Sequence, residues 1–246
     1  MNDMFFHDTH LHLDLFKDMR NLINKIENDK SYTIAMTNLP ELYKKYSQEY
    51  INFKYIRFAL GFHPQLITKY SYQMKLFDEE IKNARYVGEI GLDKVKDDAD
   101  YKMQKKLFEH IIHECERIGE KIISVHSRNA VTDILKIIGK DFNCKVIMHW
   151  FSGRMDELNE CVQRGFYFSV NHKMIKTKSG KRIIEKIPIN RLLIESDEPL
   201  ASGNNFYDFV FMKDITEFVS KVKGIEITKV SAAFRNNLKS LLEWNF

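Results

Sequence analysis

Eight residues near the start of the chain, HDTHLHLD (His7 to Asp14), hold three histidines and two acids. Imidazole together with carboxylate is the donor set that zinc, manganese or iron accepts, and carboxylate with water suits magnesium. The stretch therefore has the makings of part of a metal site. On its own, His-x-His also fits a polar strand end whose imidazoles face water. What separates the two is whether more ligand-type residues fall at matching structural positions further along the chain.

Those positions are set by the elements. Short apolar, β-rich runs predict strands near Met4–Asp8, Tyr32–Thr37, Tyr55–Leu60, Arg85–Glu89, Ile122–His126, Lys145–His149, Tyr167–Val170 and Arg191–Ser196. Their starts lie roughly 20 to 40 residues apart, the size of one strand–helix unit. Helical periodicity fills the gaps over Met19–Asn28, Pro40–Tyr50, Tyr101–Ile118, Ala130–Ile138, Met155–Arg164, Lys178–Lys186 and Tyr207–Val222. No Pro/Gly/Ser-rich linker or low-complexity tract interrupts the series. A single domain over residues 1–246 is expected, an α/β TIM (β/α)8 barrel.

Composition agrees with that and narrows the function. Hydrophobic content of 44% with 29% charged residues builds an ordinary soluble core. The net charge of +4 permits a polyanionic ligand without demanding one. Cys115, Cys144 and Cys161 form no CxxC pair and read as reduced structural thiols. Gly88-Glu-Ile-Gly91 lacks the spacing of a dinucleotide loop, and no P-loop occurs. Acids stand where a signal peptide would carry basic residues, and no apolar run is long enough for a membrane span. The expected location is cytoplasmic, with no membrane partner.

In an α/β barrel the C-terminal strand ends converge on the face where chemistry occurs. The first predicted strand ends in His10 and His12, the fourth in Glu89, the fifth in His126, the sixth in His149 and the eighth in Asp197. Each alone has an ordinary explanation as a solvated or capping residue. Six ligand-type residues at the mouths of five strands are hard to produce by accident. Four histidines with two acids are too many for one tetrahedral ion and about right for two ions sharing a carboxylate.

HDTHLHLD, GFHP, VGEIGLD, VHSRNA, MHWFSG, GFYFSV and LLIESDEP, in that order from His7 to Pro199, resemble the successive signature motifs of the TatD-family metal-dependent hydrolases. The resemblance implies a TIM-barrel phosphodiesterase, a nuclease trimming DNA (more readily than RNA) from 3′ to 5′ with two divalent ions, Mg2+ or Mn2+ by expectation and Zn2+ as a further candidate. By carry-over, His10, His12 and Asp197 hold one ion, His126 and His149 the other, and Glu89 bridges them. His63, Ser127 and Arg128 contact substrate phosphate by the same carry-over. Apart from the resemblance, the basic run Lys173, Lys176, Lys178, Lys181, Arg182 and Lys186 fits a solvated helix face or, at Lys173 and Lys176 nearest the mouth, a guide for a nucleic-acid backbone, and Asp8 and Glu195 are expected to support the ligands. Asp197 and Glu89 are the expected catalytic carboxylates, Asp197 orienting the attacking water or taking its proton and Glu89 fixing the spacing of the ions. Trp150 and Phe151, just after a ligand, could stack on a base or pack in the core.

The chain departs from the family in two places. It carries Glu195-Ser-Asp-Glu-Pro199 where the family usually has ETDSP or ETDAP, and ASGNNFYDF follows in place of an Arg-Gly segment. Some branches of the family are encoded in bacterial antiphage defence systems, and the variant is compatible with such a branch and with protein partners in a multi-subunit system. Two other readings compete. A deacylase or amidohydrolase would need nearly the same ligands, although one bridging its metals with a carbamylated lysine would want lysine where Glu89 stands. A non-catalytic subunit would be expected to have lost ligands.

Side chains alternate along a strand, which puts Asp8, His10 and His12 on one face and His7, Thr9 and Leu11 on the other. His7 is thus the expected bystander, and Asp8 the expected acceptor of an imidazole N–H. Asp14 does likewise or caps the following turn.

Overall fold

The computed structural model describes residues 7–96, 98–203 and 207–243. Eight parallel strands alternate with helices: β1 His7–Leu11, α1 Met19–Asn28, β2 Tyr32–Met36, α2 Pro40–Glu49, β3 Ile56–Ala59, α3 Pro64–Ile67, α4 Met74–Glu80 and β4 Tyr86–Gly91. There follow α5 Ala99–Ile118, β5 Ile122–His126, α6 Val131–Ile138, β6 Lys145–His149, α7 Met155–Gln163, β7 Tyr167–Val170, α8 Lys178–Lys186, β8 Leu192–Ile194, α9 Val210–Lys223 and α10 Ile227–Leu242. The expected Met4–Phe6 start of the first strand lies outside the described residues. The expected helix from Tyr207 begins only at Val210, and α3 and α4 are additions that are too short for a period to show.

The strands form ladders in chain order, β1-β2-β3 and β4-β5-β6-β7-β8. Two seams close them into a barrel. At one, Leu60 N–H donates to Tyr86 O at 2.9 Å, Gly88 N–H to Leu60 O at 2.9 Å and Phe62 N–H to Glu89 O at 3.0 Å. At the other, Asp197 N–H donates to His10 O at 2.9 Å and His12 N–H to Glu198 O at 3.0 Å. The barrel interior toward its N-terminal end is apolar, built from Ile34, Met36, Ala59, Tyr86, Ile122, Ile147, Tyr167 and Leu193. Leu238 and Leu241 of α10 plug that end, and Lys145 holds the helix C-terminus through Ser240 O (2.6 Å) and Leu241 O (3.1 Å), where a cation meets the negative end of the helix dipole. Among the described residues no helix is long and apolar enough to cross a membrane, and the three cysteines are free and buried.

Both ladders slip register where ligand-type residues sit. The β1–β2 pairing shifts between Asp8 and Leu11, and the β4–β5 pairing shifts between Val87 and Ile90. An irregularity of this kind re-aims side chains that strict pleating would send elsewhere. His10 lies inside the first shift and Glu89 inside the second.

Candidate metal centre at the barrel mouth

Four donors from three separate strand ends meet here, two of them, His10 and Glu89, from within the slips. His10 Nε2 and His12 Nε2 are 3.3 Å apart. Glu89 Oε2 lies 3.6 Å from the first and 3.4 Å from the second, and Asp197 Oδ1 lies 3.7 and 3.6 Å from them. Four donors each at 2.0–2.2 Å from a tetrahedral ion would be separated by about 3.3–3.6 Å, so these spacings fit an ion at the common centre. The other Glu89 oxygen faces a different pair: Oε1 is 2.6 Å from His126 Nδ1 and 3.4 Å from His149 Nε2. The carboxylate of Glu89 thus divides the cluster, one oxygen to each set of histidines. Ligand-type atoms also group as His10–Glu89–His149 and His63–Glu89–His126, and His63 Nε2 stands 3.4 Å from Glu89 Oε2.

Around these donors lies a shell of acceptors for the far nitrogens of His149, His10 and His126. His149 turns Nδ1 to Glu195 Oε2 at 3.2 Å, leaving Nε2 for the cluster. His10 Nδ1 meets Ser124 Oγ at 3.0 Å. A carboxylate or hydroxyl on the far nitrogen sets the tautomer and orientation of a metal-binding imidazole. Asp8 acts differently from the expectation. Its Oδ1 accepts the backbone N–H groups of His10 and Ser196, both at 3.0 Å, and its Oδ2 accepts the Tyr207 hydroxyl at 2.9 Å. Asp8 reaches backbone rather than an imidazole because the amides of His10 and Ser196 both turn to its Oδ1 at the seam between β1 and β8. It ties the strand ends carrying His10 and Asp197 together.

Asp93 is the residue that sequence reasoning missed. It accepts from His126 Nε2 at 3.2 Å and Gln65 Nε2 at 2.6 Å on one oxygen, and from Arg128 Nε at 2.7 Å on the other. The signal was present, since Asp93 closes the VGEIGLD motif. With the strand expected to end at Glu89, Asp93 falls in the loop, four residues beyond the strand-end set.

Burial and charge divide the protons unevenly. Burial pulls His10 down to about 3, so it is neutral. Burial would also lower His126, but hydrogen bonds to Asp93 and Glu89 outweigh it and carry the ring up to about 9. His149 is likewise desolvated yet held well above the ordinary histidine range by Glu195 and Glu89. Burial works to raise Glu89, and the charge of His63 with hydrogen bonds from His10, His12 and His126 keeps it well below the usual carboxylate range. Asp197 is raised to about 7 by burial. The nitrogens turned into the cluster, Nε2 of His10, His12 and His149, sit beside the carboxylates of Glu89 and Asp197. The donor set fits divalent ions.

Above the cluster opens a cavity of about 450 Å³, lined by Glu89, His126, His149 and Asp197 with His63, Gln65, Ser127, Arg128, Trp150, Ser152 and Leu200. His63 caps α3, its Nδ1 accepting the Gln65 N–H at 3.2 Å, which aims Nε2 at Glu89. Arg128 spends only Nε on Asp93, and its side chain is half exposed. Lys173 stands at the turn after β7 and does not line this cavity; neither does Glu198, whose carboxylate accepts from Ser202 and lies 3.7 Å from His172 Nδ1. Of the two aromatics after His149, Phe151 is buried edge-on against Phe168 and belongs to the core. Trp150 faces the cavity. His7 is buried against Phe234 of α10.

Comparison with known proteins points the same way. The family model described as TatD related DNase matches residues 7–243. An uncharacterized metal-dependent hydrolase of Bacillus subtilis, YabD, is 25% identical over 253 residues, covering 97% of this chain and 99% of its own. The Deoxyribonuclease Tat-D of Schizosaccharomyces pombe is 33% identical over a shorter stretch, 46% of this chain and 37% of its own. Among solved structures, YJJV, a TatD homologue from Escherichia coli, superposes with a TM-score of 0.81 at 21% identity, covering 96% of this chain and 97% of its own. A metallo-dependent hydrolase barrel with a carboxylate shared between two histidine sets, matched by one family model along nearly all its length, places the chain in the TatD-related DNase family of metal-dependent hydrolases.

Proposed function

We propose that this chain, acting as one catalytic unit in the cytoplasm, is a divalent-metal-dependent phosphodiesterase that trims DNA from its 3′ end. The observation that carries this is the Glu89 carboxylate, with Oε2 among His10, His12 and Asp197 and Oε1 beside His126 and His149, at the floor of an open cavity. His10, His12 and Asp197 would hold one ion and His126 and His149 a second, with Glu89 between them, and ions there would supply a water of lowered pKa and positive charge near the phosphodiester.

The protein's own groups do the rest. Asp197 Oδ1 points into the cluster and is the group to orient the attacking water or take its proton. Glu89, held ionised, fixes the spacing of the two donor sets. Arg128, its Nε anchored on Asp93, offers its remaining planar N–H groups to phosphate oxygens. Ser127 and His63 line the same wall. Lys173 would act at longer range, drawing a polyanionic strand toward the mouth, an effect that weakens as salt rises. The deacylase reading is disfavoured by the same carboxylate, because the end of β4 presents Glu89 where a carbamylated bridge needs lysine.

The test is incubation of the protein with a 5′-labelled single-stranded oligonucleotide and Mg2+ or Mn2+, with Zn2+ alongside. A ladder of products shortened one nucleotide at a time supports 3′ trimming. Release of the labelled nucleotide at the outset would reverse the polarity. Intact DNA beside hydrolysed amide or carboxylic ester substrates would replace the proposal with the deacylase.

A further inference from the structure

Trp150 follows His149 directly, and its backbone takes φ of 39°, in the left-handed region that bulky side chains avoid. Strain of this kind persists where the surroundings impose it, and it clusters at ligand sites. Here the surroundings are identifiable. The Trp150 N–H donates to Glu195 Oε1 at 3.1 Å, on the carboxylate whose other oxygen orients His149 at 3.2 Å and whose Oε1 also accepts the Asn171 side-chain amide at 3.0 Å. The backbone that carries the indole is therefore tied to the carboxylate that orients a candidate metal ligand, and the ring stands edge-on to His149, centroids 6.5 Å apart. It lines the cavity together with Leu200, a large apolar side chain left 55% exposed.

These two are the apolar members of a wall otherwise made of His63, Gln65, Ser127, Arg128 and Ser152. An aromatic plane and an aliphatic side chain lining one cavity with a guanidinium suit a ligand that joins a flat ring to a phosphate. They do not suit an acyl chain, which would meet polar groups over most of the cavity. We propose that Trp150 and Leu200 clamp the base of the terminal nucleotide whose phosphate lies at the metal centre, a proposal that rests on the phosphodiesterase reading above. Stacking on an indole accepts any base but requires it to be free of a duplex.

Two oligonucleotides test this, one ending in an ordinary 3′ nucleotide and one ending in an abasic tetrahydrofuran nucleotide with the same phosphodiester. Both are 5′-fluorescein labelled, and both binding (by anisotropy, with Ca2+) and cleavage (with Mn2+) are measured for wild type, Trp150→Ala, Trp150→Phe and Leu200→Ser. Stacking on an aromatic makes wild type favour the base-bearing end by about ten- to a hundredfold in Kd and KM. In Trp150→Ala that ratio collapses toward one, Leu200→Ser lowers it partway, and Trp150→Phe retains most of it. Equal affinity of wild type for the two ends, or a Trp150→Ala loss that is equal on both, overturns the clamp. If wild type discriminates in binding yet cleaves neither end, the clamp stands and the phosphodiesterase reading falls. If it neither binds nor cleaves either end, both fall.

Discussion

Asp93→Asn removes one negative charge from a fully buried carboxylate and leaves the side-chain shape nearly unchanged. The native carboxylate takes Arg128 on Oδ1 and both His126 and Gln65 on Oδ2. An asparagine has one acceptor oxygen and an NH2 group, so it can serve one of these sides and must turn a donor toward the other. If it keeps Arg128, His126 Nε2 loses its acceptor and the ring loses its orientation toward Glu89. Replacing such an outer partner costs about 10- to 100-fold in metal affinity, or roughly 1.4–2.7 kcal/mol. If it keeps His126, Arg128 is released; being half exposed, it gives up no more than about 1 kcal/mol, seen as a rise of roughly fivefold in KM. Calorimetric titration with Mn2+ separates the two, because only the step belonging to His126 and His149 should weaken. An isotherm and a KM both unchanged in Asp93→Asn would refute the assignment of Asp93 as the support for these groups.

Gly61→Ala should be among the most damaging single changes, because a Cβ at that position would lie 1.5 Å from the Thr37 carbonyl oxygen; a cost of at least about 3 kcal/mol is expected, read as a Tm lower by roughly 6–12 °C or as insoluble protein. His7→Ala should lower stability by about 1–2 kcal/mol through lost packing on Phe234 while leaving turnover within twofold, whereas His10→Ala should abolish turnover. Metal uptake should release protons: His126 (folded value about 9) and His149 hold theirs above the unfolded value, so this contribution to metal-free stability is full below about pH 6.5 and lost as pH rises through 9. Cations must displace those protons, so apparent affinity should climb between pH 6 and 9, with at least one proton released at pH 7 by indicator dye. A pH-independent affinity would contradict this.

Much of the barrel was legible because eight strand–helix units repeat along the chain, and apolar strands such as Lys145–His149 and helices such as Lys178–Lys186 have boundaries that the sequence pattern predicts to the residue. The ligand-type residues could be located because strand ends converge. Less legible were features that depend on contacts across the barrel. The slips at Asp8–Leu11 and Val87–Ile90 come from pairing with neighbouring strands, so neither Asp8's grip on backbone nor Glu89's division between two histidine sets follows from alternation alone. Asp93 lay beyond the expected strand end. The plug formed by α10 depends on Leu238 and Leu241 meeting Tyr86 and Ile147 from distant strands, a partnership that helical periodicity does not name. Trp150 and Phe151 are adjacent in sequence and chemically alike, and only the turn after β6 decides that one faces the cavity and the other the core.

The central claim is that Glu89 is shared between two ions. Metal content and calorimetric stoichiometry of wild type and Glu89→Ala, with circular dichroism to verify the fold, test it most directly. Wild type should bind two divalent ions per chain, and Glu89→Ala should keep its secondary structure, bind at most one ion with weakened affinity and lose metal-dependent hydrolysis. A folded Glu89→Ala that still binds two ions with unchanged affinity and near-normal turnover would contradict the account.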